Sequence, residues 1–171
     1  MRIYVASSWK NQYQPALVET LRLVHHQVYD FRNPSPGNEG FAWRSCTKTR
    51  PPWTAAELSE VLEHRNAKKG FELDMAGLKW CDVCILLLPC GRSAHLEAGF
   101  CAGSGKPVLV YARPEERFEP ELMYLTFGAR GALFDDQIKL LARLDQLKMF
   151  KARQAAAPAA KKPAKKKKAA R

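Results

Sequence analysis

The chain predicts an α/β fold, a Rossmann-like or flavodoxin-like three-layer sandwich of about five parallel strands. Three observations carry this. Short apolar runs alternate with segments of helical spacing along residues 1–150. One run, Val83-Cys84-Ile85-Leu86-Leu87-Leu88, is apolar throughout, as strands buried on both faces are. The turns after the strands are rich in small and polar residues, the usual connection in βαβ units.

The elements follow in order. Arg2-Ile3-Tyr4-Val5-Ala6 is rich in β-formers and reads as the first strand. Ser7-Ser8-Trp9-Lys10-Asn11 is a polar turn carrying one large aromatic. From Gln12 to His26, Leu17, Leu21 and Val24 recur at helical spacing, giving an amphipathic helix. Val28–Phe31 is the second strand, broken by Asn33-Pro34-Ser35-Pro36-Gly37. Residues 33–53 form a long loop with Phe41, Trp43 and Trp53, and a long loop with its own aromatics suits a binding role. Thr54 with Glu57 makes a capping box for a helix to about Arg65. A further helix runs from about Asn66 to Trp80.

Asp82–Leu88 is the third strand. The segment Gly91–Glu97 reads as a turn leading into a helix to about Ala102, which Gly103-Ser104-Gly105 ends. Lys106–Tyr111 is the fourth strand, Pro120–Phe127 holds a short helix, and Gly131–Phe134 is the fifth strand. Asp135 caps a last amphipathic helix to about Phe150.

A net charge of +11 suggests a nucleic-acid binder until it is located. Residues 151–171 hold nine basic residues and no acid, leaving 19 basic and 17 acidic residues, a net +2, on residues 1–150. The chain therefore divides into a nearly neutral domain, 1–150, and a Lys/Ala/Pro-rich tail, 151–171, whose composition predicts disorder. Such a tail is a candidate for non-specific nucleic-acid association through phosphate neutralisation. Five cysteines and no evident signal peptide fit a cytoplasmic setting. Cys81 and Cys84 form a lone CxxC inside an apolar context and read as core. No apolar run approaches the ~20 residues of a membrane span.

The most informative stretch is Leu88-Pro89-Cys90-Gly91-Arg92-Ser93-Ala94-His95-Leu96-Glu97-Ala98-Gly99. It follows a parallel strand, where open α/β sheets place their ligands. Glu97 is a carboxylate near a turn with free backbone N–H groups. His95, two residues away, faces elsewhere on a helix. His25, His26 and His64 read as helix-surface residues, and Asp82 as a local cap.

Three blocks give the chain a family likeness over roughly residues 1–135. They are Ile3-Tyr4 with the turn ending at Trp9; Phe71-Glu72-Leu73-Asp74-Met75, then Trp80-Cys81-Asp82-Val83; and Gly91–Gly99, then Ala102 and Gly105-Lys106-Pro107-Val108. Together they resemble the nucleoside 2-deoxyribosyltransferase-like superfamily, which includes nucleoside 5′-monophosphate N-glycosidases. The resemblance implies an N-glycosidic bond as substrate. It implies Glu97 as nucleophile at the anomeric carbon, Asp74 holding sugar hydroxyls, Tyr4 orienting Glu97 and Trp9 stacking on the base, with Phe41 and Trp43 as candidate pocket walls. It also implies a homo-oligomer and a small-molecule nucleoside or nucleotide partner, and the reaction needs no metal or organic cofactor.

The chain departs from the transferase pattern in one place. An acid about six residues before the nucleophile is typical, and here that position is Gly91. Arg92, Ser93 and the N–H groups of the following helix suit an anion, and Ser7 and Ser8 add donors. The expectation therefore moves toward a nucleoside 5′-monophosphate. The alternative is a non-catalytic nucleotide-binding module tethered to nucleic acid by its tail.

Overall fold

Along the central strands, alternate side chains feed two separate cores. In the computed structural model, which describes residues 1–128 and 133–156, the strands are β1 (Arg2–Ala6), β2 (Gln27–Tyr29), β3 (Val83–Leu87), β4 (Val108–Tyr111) and β5 (Leu133–Phe134). The helices are α1 (Gln14–Leu23), α2 (Ala55–Leu62), α3 (Arg65–Trp80), α4 (Arg92–Gly103) and α5 (Gln137–Ala156). Tyr4, Ala6, Cys84, Leu86, Val108 and Val110 point to one face, under Leu78 of α3 and Ala94, Ala98 and Cys101 of α4. Ile3, Val5, Val83, Ile85, Leu87, Leu109 and Tyr111 point to the other, under Leu17, Val18 and Leu21 of α1 and Leu140 and Leu144 of α5. A period of two in the strands thus builds a three-layer sandwich.

All strand pairs are parallel, in the order β2-β1-β3-β4-β5. This is the flavodoxin-like order of doubly wound sheets. The connection direction reverses between β1 and β3, where Ala6 pairs with Leu86 near the strand ends. A crevice opens beyond those ends, and such switch points are where ligands bind. Asn11 Nδ2, in the loop after β1, donates to Pro89 O in the loop after β3 at 3.1 Å, tying the two sides of the crevice together.

At the opposite end of the strands, Asp82 accepts from the Arg2 backbone N–H (3.0 Å), the Arg2 guanidinium (2.7 Å) and Lys151 Nζ (2.6 Å). Burial raises the Asp82 pKa, but these bonds outweigh it and hold the carboxyl well below the usual range. Asp82 therefore joins β1, β3 and α5, a larger role than a local cap.

Several boundaries differ from the sequence expectation. The helix after β3 begins at Arg92, with Gly91 as its N-cap, so Glu97 lies in the second helical turn and not in a loop. Helix α5 is capped by Asp136, whose Oδ1 accepts from Ile138 N at 2.7 Å, in place of Asp135. It runs to Ala156, six residues into the expected tail, because Lys, Ala, Arg and Gln all favour helix. Residues 129–132, which include Gly131 and Ala132, and the remainder of the tail from 157 lie outside the described residues. Pro120–Phe127 holds a 3₁₀ turn at Leu122–Phe127. His26 is 7% exposed, not a surface residue, and His64 caps α3 by accepting from Asn66 N at 3.1 Å. Cys81 and Cys84 are both buried in the core.

Candidate active site

Helix α4 lies close on the sheet because its inward positions are small: Ala94 and Ala98, one turn apart, are 1% and 0% exposed. Glu97 stands three residues after Ala94 and four before Cys101, so it flanks the same inward stripe. It faces the end of the sheet with its carboxyl partly buried. Burial is the first cause, and the neighbouring Asp74 charge the second, of a Glu97 pKa pushed up to about 8. The Tyr4 hydroxyl partly offsets this. Tyr4 itself is wholly buried on β1, and its Oη makes no hydrogen bond of good geometry. Its hydroxyl is held protonated, first by burial and then by the Glu97 and Asp74 charges.

Asp74 comes from the middle of α3. Burial raises its pKa, and a hydrogen bond from Tyr29 Oη to Asp74 Oδ1 at 2.9 Å works against the rise. Tyr29 ends β2 and stacks on Tyr4, with ring centroids 5.0 Å apart and planes 9° apart. Two carboxyls and two tyrosines thus meet at the switch point.

From this acid pair a cavity of about 840 Å³ extends toward the long loop. Ser7, Ser93, Asp74 and Glu97 line one end, and Trp9, Phe31, Phe41 and Trp43 line the aromatic wall. Phe41 and Trp43 meet edge-to-face at 4.8 Å, and Trp9 meets Phe31 edge-to-face at 5.4 Å. Gly40 allows this closure. Its φ is +76°, and a Cβ there would sit 2.2 Å from Phe31 O and 3.0 Å from the Trp9 ring. The turn carrying Trp9 is pinned by Arg32, whose Nη2 donates to the carbonyls of Ser8 (3.1 Å), Trp9 (3.0 Å) and Asn11 (2.8 Å).

The structure therefore brings together Glu97, Asp74, Tyr4, Trp9, Ser7, Ser93, Phe41 and Trp43. Tyr4 lies buried beneath the lining, and three further residues singled out from the sequence stand outside it. Ser8 Oγ accepts from Lys10 N at 3.1 Å, and Gly91 and Arg92 are exposed. Helix phase explains Arg92. Ser93 and Glu97 are four residues apart and share a face, whereas Arg92 falls on another. His95 also turns away, with its Nδ1 3.1 Å from Gly91 O and its Nε2 3.0 Å from Tyr124 Oη. Ser7 Oγ donates to Leu87 O at 3.0 Å and keeps its lone pairs for another donor. The sequence reading did not find Tyr29, Phe31, Arg32, Glu39 or Arg44. Glu39 and Arg44 complete the charged lining, and Arg44 is its only cation among the described residues.

Comparison with solved structures gives a likeness to the 2-deoxyribosyltransferase of the psychrotolerant bacterium Bacillus psychrosaccharolyticus. Identity is 18%, over 82% of this chain and 90% of that one, with a TM-score of 0.50. The chain has a nucleoside 2-deoxyribosyltransferase-like fold. The CMP N-glycosidase BcmB of Clostridium botulinum also aligns, at 14% identity over 85% of this chain and 99% of that one, with a TM-score of 0.45. No protein-family model and no curated protein matches the sequence. Among the described residues, no helix is long and apolar enough to cross a membrane.

Proposed function

We propose that this protein breaks the N-glycosidic bond of a nucleoside or nucleoside 5′-monophosphate, with Glu97 as the nucleophile. The observation that carries the reading is the acid pair Glu97 and Asp74 at the sheet switch point, facing an aromatic wall across one cavity. The cavity volume falls in the range of small-molecule sites.

The steps follow from the chemistry. The ionised Glu97 carboxylate attacks the anomeric carbon as the C–N bond breaks. The base leaves with the bonding electron pair and takes up a proton from solvent, which the water or second base that later opens the ester returns. The glycosyl–Glu97 ester is then opened by water, or by a nitrogen of a second base, which restores the carboxylate. Double displacement of this kind retains configuration at the anomeric carbon. Asp74 holds the sugar hydroxyls beside the nucleophile, and Tyr4 orients Glu97. Trp9, Phe31, Phe41 and Trp43 sandwich the base, as aromatic walls favour planar rings. Ser7, Ser93 and the first N–H groups of α4 receive the 5′ end of the sugar, where the helix N-terminus favours an anion.

The test is incubation of the protein with a panel of nucleosides and their 5′-monophosphates, following release of free base, beside Glu97→Ala. Release by the wild type and none by the variant supports the assignment. No release from any substrate, or equal release by both, overturns it. Addition of a second base separates transfer from hydrolysis.

The tail and the assembly belong to the same proposal. The nine basic residues of 151–171 bind nucleic acid without sequence preference, so affinity falls steeply with salt and is lost when 157–171 is deleted, while base release is retained. Leu122, Met123 and Leu125 are 77%, 62% and 62% exposed on one short turn, an apolar surface suited to a homo-oligomer contact. Light scattering of the purified protein tests that assembly.

A further inference from the structure

Asp74 lies on α3 with Gly70 four residues before it and Gly77 three residues after it, so the three share one helix face. The glycines are where aromatic rings approach the helix. A Cβ on Gly77 would lie 2.8 Å from the Tyr29 ring, and one on Gly70 would lie 2.9 Å from the Phe41 ring. The Tyr29 ring is therefore clamped between the α3 backbone and the Tyr4 ring. From that clamp its hydroxyl reaches Asp74 Oδ1 at 2.9 Å.

We propose that Tyr29 is a positioning residue of the reaction: its hydroxyl fixes the Asp74 carboxylate in the cavity lining, and its ring holds Tyr4 against Glu97. The proposal rests on the glycosidic reading above. Burial and the Asp74 charge hold the Tyr29 hydroxyl protonated, so it remains a donor throughout the working range. One oxygen of Asp74 is taken by Tyr29, which leaves the other for a sugar hydroxyl.

Tyr29 also sets how the two acids share charge. Its hydrogen bond favours the ionised form of Asp74, and the Asp74 charge in turn raises the Glu97 pKa. The other titratable groups around this cluster are Tyr4 on β1 and Cys90 before α4, which interact with Glu97, Asp30 after β2, which acts on Tyr29, and Cys84 on β3, which acts on Tyr4, while Glu39 and the Arg44 cation line the same cavity. Loss of the Tyr29 hydroxyl lets Asp74 take up a proton more readily and lowers the midpoint at which Glu97 ionises.

The test is Tyr29→Phe, which keeps the stacked ring and removes the hydrogen bond. Base release is followed against pH, and carboxyl carbon NMR follows Asp74 and Glu97 directly. The expected result is a fall in kcat/KM of about 10- to 100-fold, the range for a lost bond to a charged group. The acid limb of the profile moves to lower pH, with the Asp74 midpoint rising and the Glu97 midpoint falling. Gly77→Ala, which displaces the ring and keeps the hydroxyl, should lower kcat/KM in the same direction. A wild-type rate and an unmoved pH profile in Tyr29→Phe overturn the proposal while leaving the glycosidic reading intact. No base release by the wild type overturns that reading, and this proposal with it.

Discussion

Replacing Glu97 by Gln tests the electrostatics of the site through folding alone. The unfolded chain ionises this carboxyl near 4.5, whereas the folded protein holds its proton to about 8. Between those values folding takes up a proton, so the group costs stability as pH rises; below 4.5 it costs nothing, and above 8 the cost is complete. At 1.36 kcal/mol per pH unit, the penalty reaches roughly 3 kcal/mol at pH 7 and between about 4 and 5 kcal/mol at pH 9. Glutamine has nearly the same shape and no charge to desolvate. The variant should therefore match the wild type near pH 4 and exceed it by several kcal/mol at pH 9, while losing base release. Urea unfolding of both proteins at several pH values measures the difference. Parallel stability curves would refute the reasoning, because they would mean that Glu97 ionises in the folded protein as it does in water.

Further outcomes follow from other parts of the structure. The value of kcat/KM for base release should rise with pH toward a midpoint near 8, because only the ionised Glu97 attacks; a flat profile between pH 5 and 9 counts against this. Gly91→Asp should fold without loss, since Gly91 is an extended N-cap and a Cβ there meets nothing within 4 Å. An acid at this N-cap adds up to about 1 kcal/mol by thermal melting. Trp9→Ala should raise KM about tenfold or more with a smaller change in kcat, since its ring is half exposed on the base side of the cavity. Asp82→Asn should lower stability by about 1–2 kcal/mol at neutral pH, and the difference should shrink as pH falls below about 4, where the carboxyl of the unfolded chain takes up a proton while the folded one still holds its charge.

The fold was legible because the strands are short, apolar and separated by helical segments, and because a parallel sheet buries both strand faces. The Thr54–Glu57 capping box was readable at once, and both of its reciprocal bonds are present. Boundaries slipped where local signals compete, as at Asp135 and Asp136, two adjacent acids of which only one can cap. Much of the cavity lining was also readable, because Ser93 and Glu97 are close in sequence and Trp9 stands alone in a polar turn. Arg92 stands outside the lining because the helix has already begun there, and helix phase decides which side chain enters the cavity. Tyr29 was not legible from its own strand, where it reads as another β-forming core residue. Its role depends on α3 crossing close by, and the only sequence trace is the pair Gly70 and Gly77 flanking Asp74. Arg32 likewise acts through backbone carbonyls of a distant turn, which no side-chain pattern records.

The central claim is that Glu97 forms a covalent bond to the sugar. The direct measurement is intact-protein and peptide mass spectrometry after incubation with nucleosides and 5′-monophosphates bearing a 2-fluoro substituent, which destabilises the oxocarbenium-like transition state and slows turnover of the intermediate. The expected result is a mass increase of one fluorosugar, or fluorosugar phosphate, on the peptide containing Glu97, absent in Glu97→Gln. Base release from an unsubstituted substrate with no adduct on that peptide, or an adduct on another residue, would contradict it.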